Sequence, residues 1–266
     1  MKGSRLTASF LGLMVLLAAP FLLELAAPDA DPLPARAVLV IGGFGKLLFL
    51  AAAAFLAWRN TSSFEGGTPA RAGWLRLSLG LALFALAQAG LVLQQLSQNR
   101  AVFFPSPSDV FFLLAYPLFI AALLAFLRAY TESGHPIGDA AERRRTGLVA
   151  AAACVALAVP LLRPVMLSDA PAAEKALNAA YTLFDFALLV PTVILLRIAL
   201  RFPGGAVGRI WTALLSGFLF LCVGDILFAY LTAMGAARLD PLVDIAYLAA
   251  YGSLALGTAY QREVLR

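Results

Sequence analysis

Charge is scarce in this sequence: Asp, Glu, Lys and Arg make up 13% of its 266 residues, against about 25% in an ordinary soluble domain. A surface so poor in charge faces something other than water. Histidine is nearly absent too. The single one, His135, lies in a polar stretch with no second His or Cys at metal spacing, which argues against a metal site. The two cysteines, Cys154 and Cys222, fall inside apolar runs and read as small buried hydrophobes, with no disulfide framework. There is no P-loop, dinucleotide glycine pattern, His-Glu-x-x-His or Gly-x-Ser-x-Gly. Ser, Cys and His form no nucleophile–base arrangement, and the connections between apolar runs are too short for a soluble catalytic domain. An enzyme is therefore not expected, and no motif asks for a cofactor.

What the chain has instead is hydrophobic length. Apolar residues make up 62% of it and the mean hydropathy is +0.87. Runs of roughly 20 apolar residues recur throughout, the length that crosses a bilayer as a helix. They lack the alternation of barrel strands. The expected fold is all-α: a polytopic bundle of eight transmembrane helices near 7–27, 36–58, 74–96, 108–130, 147–166, 176–200, 210–233 and 241–260. The first run, led by Lys2 and Arg5 and followed by Ala26-Ala27-Pro28, has features of a signal peptide, but is expected to be a retained span because it has a counterpart later in the chain.

Basic residues divide unevenly between alternate connections. Fourteen lie on one side, among them Arg59, Arg71, Arg128, Arg143, Arg144, Arg145, Arg197 and Arg262; the five on the other are Arg36, Arg100, Arg163, Lys175 and Arg238. Lys46 belongs to neither, being inside a span. This bias predicts that the first side, with both termini, is cytoplasmic, in the inner membrane of a bacterium. It also explains the net charge of +5 without a nucleic-acid partner; the partner implied is the lipid bilayer.

The chain resembles itself. Span four opens Asp109-Val-Phe-Phe-Leu-Leu-Ala-Tyr116 and span eight Asp244-Ile-Ala-Tyr-Leu-Ala-Ala-Tyr251, each after proline. Trp74 precedes Gln88 by fourteen residues, and Trp211 precedes Asp225 by fourteen. Ala19-Pro20 matches Val159-Pro160, and Arg59 matches Arg197, with Lys46 and Asp185 at similar depth. Four matches in one order predict two tandem parallel four-helix repeats: residues 1–130 and 147–266, joined by a charged cytoplasmic linker at 131–146.

A charge at mid-membrane costs about 2.5–3.5 kcal/mol on insertion scales, so such residues are candidate site residues. Lys46, Asp185, Asp225 and the uncharged Gln88 fall in one layer ~12–15 Å below the outer helix ends, at 1.5 Å per residue. Asp109 and Asp244 cap that layer. Tyr116 and Tyr251, two turns deeper on the same faces, reach ~10 Å down into it. These eight residues predict one polar ligand pocket open to the extracytoplasmic side. Each also has a structural reading. The two capping aspartates satisfy helix starts; Lys46 and Asp185 form an ion pair joining spans two and six; Gln88 is an interhelical hydrogen-bonding residue. Trp74, Trp211 and Tyr260 read as an interfacial belt. Gly42-Gly43-Phe44-Gly45 reads as packing or flexibility.

Pro105-Ser-Pro-Ser-Asp109 through Tyr116-Pro117-Leu118, with Gly224-Asp225 and Asp244-x-x-Tyr247-x-x-x-Tyr251, resembles the eight-span bacterial input module found ahead of diguanylate cyclase, phosphodiesterase (GGDEF/EAL) or histidine-kinase domains. The resemblance implies a sensory module with a cytoplasmic kinase or diguanylate cyclase as partner. Only six residues follow Tyr260, so cyclic-dinucleotide chemistry is not expected of this sequence itself. The leading expectation is a receptor-like module that binds a small ligand or a proton; a homodimer is left open. A secondary transporter and a membrane enzyme acting on lipid are the alternatives, and a retinal-type pigment on Lys46 ranks below them.

Overall fold

The computed structural model describes residues 2–27, 35–98, 104–133, 139–200 and 205–265. Among them are eight α-helices and no strand: α1 (Lys2–Ala26), α2 (Ala35–Thr61), α3 (Pro69–Gln98), α4 (Ser108–Glu132), α5 (Ala140–Leu167), α6 (Ala172–Ala199), α7 (Ala206–Met234) and α8 (Asp240–Val264). All eight are long and apolar enough to cross a membrane. The chain is a multi-pass membrane protein.

Every expected span is present, and most begin earlier than hydropathy alone indicates. Helix α5 starts at Ala140, where Asp139 accepts the Glu142 amide at 2.6 Å. Arg143, Arg144 and Arg145 therefore lie on a helix rather than in a loop. Hydropathy registers only the apolar part of such a helix, whereas backbone hydrogen bonding continues through the polar first turns. His135 and the middle of the expected linker lie outside the described residues.

Helix α8 is the most buried of the eight, and α1 and α5 are the least. Helix α8 packs on α7, α2 and α1; α3 lies between α2 and α4; α6 packs on α7, α5 and α4. Apolar side chains on α1 and α5, such as Leu16, Val155 and Val159, point outward, as lipid-facing residues do. The interior is closed by aromatic and aliphatic side chains, including Phe49, Trp74, Phe84, Phe119 and Phe218.

Without a hydrophobic driving force between helices in lipid, close packing holds such a bundle together. Gly217 shows how. A Cβ placed there would meet the Ala250 carbonyl at 2.9 Å and Leu254 Cγ at 2.6 Å, so α7 and α8 approach backbone to side chain. Gly42 and Gly45 likewise face Phe21 and Leu17 of α1, which settles that glycine run as packing.

The interfacial-belt reading is corrected. Trp74 is 2% exposed and Trp211 7%, and both pack edge-on against Phe126, at 5.3 and 4.9 Å between ring centroids. Tyr260 is also buried, its hydroxyl in contact with that of Thr7 on α1. Each ring finds more apolar contact at a helix crossing than a headgroup layer would give.

The end of the bundle carrying Arg59, Arg128, Arg197 and Arg262 is held by polar ties. Arg197 pairs with Glu142 at 2.7 Å and donates to Thr146 at 2.5 Å, joining α6 to α5. Arg262 of α8 donates to the Arg59 carbonyl and to Ser63 Oγ, and Asn60 donates to the Thr258 carbonyl.

Candidate functional site

At the opposite end a pocket of about 310 Å³ opens among α2, α3, α4, α6, α7 and α8. Seven of the eight expected site residues line it: Lys46, Gln88, Asp109, Tyr116, Asp225, Asp244 and Tyr251. Asp185 does not. It lies behind Tyr116, fully buried.

Tyr116, on α4, is the hinge of the arrangement. Its hydroxyl is 2.9 Å from Asp185 Oδ1 on α6 and in closer contact with Asp225 Oδ2 on α7. The other Asp225 oxygen accepts from the Tyr247 hydroxyl of α8 at 2.5 Å. A phenol carries one hydrogen. Tyr116 can donate to one carboxylate only, so bonding to both needs a second proton held between them. Asp185 Oδ2 has no partner among the described residues.

Gly224 makes room for this. A Cβ there would fall 2.8 Å from Tyr247 Cε1, so the bare backbone lets the ring lie against α7 and reach Asp225 one residue on. Tyr247 stacks on Tyr251 with centroids 5.9 Å apart and planes 16° from parallel.

Nearer the helix ends, Lys46 Nζ donates to Asp244 Oδ1 at 2.5 Å, and Nζ lies 6.0 Å from the Tyr247 ring centroid. This corrects the expected Lys46–Asp185 pair. Helix α2 packs against α3 and α8 while α6 packs against α4, α5 and α7, so the lysine's natural neighbour is on α8. The capping reading of Asp244 falls with it: Asp244 is in the second turn of α8 and serves as the partner of Lys46. For Asp109 that reading holds in part. Asp109 accepts the Ser106 amide at 2.6 Å and also the Tyr181 hydroxyl of α6 at 2.7 Å. Gln88 donates to the Gly43 carbonyl at 3.3 Å, as an interhelical residue should, while also facing the pocket.

Among the polar lining residues outside the expected set are Asn178, Tyr181, Asp240 and Tyr247. Asn178 and Tyr181 stand seven and four residues before Asp185, on the same face of α6. That spacing is the signal the sequence offers for them.

Apolar packing closes the pocket below. Phe84 meets Phe112, Tyr116, Phe119 and Tyr251 edge-on, and Phe119 meets Phe218 at 5.3 Å. No group of three or more His, Cys, Asp or Glu among the described residues is placed to hold a metal ion. No protein-family model, curated protein or solved structure matches the chain.

Proposed function

We propose that this protein is a receptor-like sensory module that binds a small ligand in the pocket and signals by moving its arginine-rich end. The observation that carries the reading is the position of the pocket's polar contacts. Lys46–Asp244 joins α2 to α8, and Tyr181–Asp109 joins α6 to α4. If the chain is two four-helix repeats, both contacts run between them. The pairing α2 with α8 and α6 with α4 is the pattern a duplication would leave, and it supports that division.

A ligand that takes either aspartate as its own partner loosens a tie between the halves. Its differential affinity for the tied and untied packings then shifts the equilibrium between them. The polar contacts at the other end, Arg262 with Ser63 and Arg197 with Glu142, are where a partner would read the change. By the positive-inside bias that end is cytoplasmic, which puts the pocket on the extracytoplasmic side of the inner membrane and a kinase or diguanylate cyclase within reach of the arginines.

The aromatic floor favours a receptor over a transporter. Phe84, Phe119 and Phe218 are each at most 1% exposed, and a substrate leaving the pocket toward the arginines would have to part them. No catalysis is assigned to the carboxylates.

The test uses purified protein in nanodiscs with spin labels at Ser62, just after α2, and at Arg144, in the first turns of α5. A small-molecule collection is screened for thermal stabilisation, and each hit is examined by distance measurement. Stabilising compounds should shift the Ser62–Arg144 distance distribution. Compounds that bind without any shift, combined with uptake into liposomes, would replace the receptor by a transporter.

A further inference from the structure

The pocket's lining is unbalanced in charge, and the imbalance identifies a ligand class. Four carboxylates line it, Asp109, Asp225, Asp240 and Asp244, against one ammonium, Lys46. That ammonium is already engaged with Asp244. Asp109 accepts only an amide and a phenol, and Asp225 only two phenols. Neither has a cation beside it among the described residues. Sharing one proton with Asp185 would still leave the lining net negative. Uncompensated carboxylates in a low-dielectric site are costly and normally paired.

A second observation points into the same space. Asn178, whose side chain ends in an amide, is 4% exposed and lines the pocket. Its carbonyl oxygen is a ready acceptor for an N–H group.

The walls narrow the class further. Phe84, Phe112, Tyr116, Tyr181, Tyr247 and Tyr251 present aromatic rings, which attract weakly hydrated organic cations through their faces. Lys46 already sits over Tyr247 in this way. Rings offer nothing to a small hard metal ion, which needs six or more oxygens. An anion would meet three or more carboxylates and a lysine already neutralised. The volume of about 310 Å³ is at the small end of ligand pockets, which run from about 300 to 1,000 Å³.

Building on the receptor reading, we infer that the pocket binds a small organic cation: a primary amine or quaternary ammonium with an apolar body. The ammonium sits between Asp109 and Asp225 with Asn178 as a further acceptor, and the apolar part lies among the tyrosines and Phe84.

The experiment compares three near-isosteric probes on the wild-type protein in nanodiscs. They are phenethylamine, 2-phenylethanol and 3-phenylpropionate, with benzyltrimethylammonium as a second cation, read by thermal shift and by saturation-transfer NMR. Both cations should bind, and the neutral and anionic probes should not. Asp109→Asn, which keeps the amide and phenol contacts in outline, should weaken phenethylamine roughly tenfold or more, and Glu132→Gln, at the far end, should not change it. Binding of 3-phenylpropionate in preference to the cations would overturn the assignment and leave a receptor for carboxylates. Binding of 2-phenylethanol equal to the amine would overturn it too and leave a receptor read by shape alone. If Asp109→Asn does not fold, Asn178→Ala is the substitute, with the same weakening expected. No binding by any probe would overturn the inference, and failure of the wider collection as well would remove the receptor reading with it.

Discussion

The Lys46 ammonium and the Asp244 carboxylate meet at 2.5 Å across the pocket, joining α2 to α8. Their side chains are 13% and 33% exposed, so the pair is neither fully desolvated nor screened as a surface pair is. Removing one partner should cost about 1–3 kcal/mol, between the values for exposed and buried pairs. Lys46→Met should therefore lower the unfolding temperature in detergent, and Asp244→Leu in the same chain should recover part of it. The reversed pair, Lys46→Asp with Asp244→Lys, should recover more. Equal stability of Lys46→Met and wild type would show that the contact contributes nothing.

Tyr116 supplies a hydroxyl shared by Asp185 and Asp225. Tyr116→Phe keeps the ring in its contacts with Phe84 and Phe184 and removes the donor. Leaving buried acceptors unmet costs about 1–3 kcal/mol. Asp185→Asn should be milder, because its amide brings its own donor to the contact with Tyr116 and relieves the need for a second proton. Chemical denaturation in mixed micelles would rank them. A larger loss in Asp185→Asn than in Tyr116→Phe would contradict the proton count.

The helices are legible in the sequence because a run of some twenty apolar residues has few other fates. The pocket is legible because charges deep in apolar runs must gather. Which charges meet is not legible: it depends on the rotation and packing of whole helices. Lys46 and Asp185 match in depth, but α2 faces α8, and depth alone does not reveal that. Only its spacing from Asp185 marks Tyr181, because a tyrosine near a helix end has the same signature whether it sits in a headgroup layer or donates to Asp109. Trp74 and Trp211 carry the same ambiguity. An aromatic near the end of a span can be assigned only once its neighbours are known.

The charge bias makes a topological prediction. Cysteines introduced at Ser62 and Thr131, at the arginine-rich end, should resist a membrane-impermeant maleimide in intact spheroplasts. Cysteines at Ser97 and Lys175, at the pocket end, should react. Cys154 and Cys222 are buried and should give little background. The reverse pattern would place the pocket in the cytoplasm.

Three glycines separate packing from site effects. In a free helix Gly→Ala stabilises by about 1 kcal/mol, so the sign of the change reports what the new methyl meets. At Gly12 of α1 nothing lies within 4 Å of where the methyl would stand, and Gly12→Ala should be neutral or stabilising. At Gly217 the methyl meets the Ala250 carbonyl at 2.9 Å. Backbone cannot swing aside, so α7 and α8 must separate, at a cost of about 1–3 kcal/mol. At Gly224 the obstacle is the Tyr247 ring at 2.8 Å. The ring can yield, but only by leaving its stack on Tyr251 and its bond to Asp225. Gly224→Ala should therefore cost less stability than Gly217→Ala and disturb the pocket more. Unfolding temperatures measure the first effect, and ultraviolet resonance Raman of the tyrosine ring modes measures the second. If Gly217→Ala perturbed the tyrosine signal as strongly as Gly224→Ala, the Gly224–Tyr247 contact would not be what positions the phenol on Asp225.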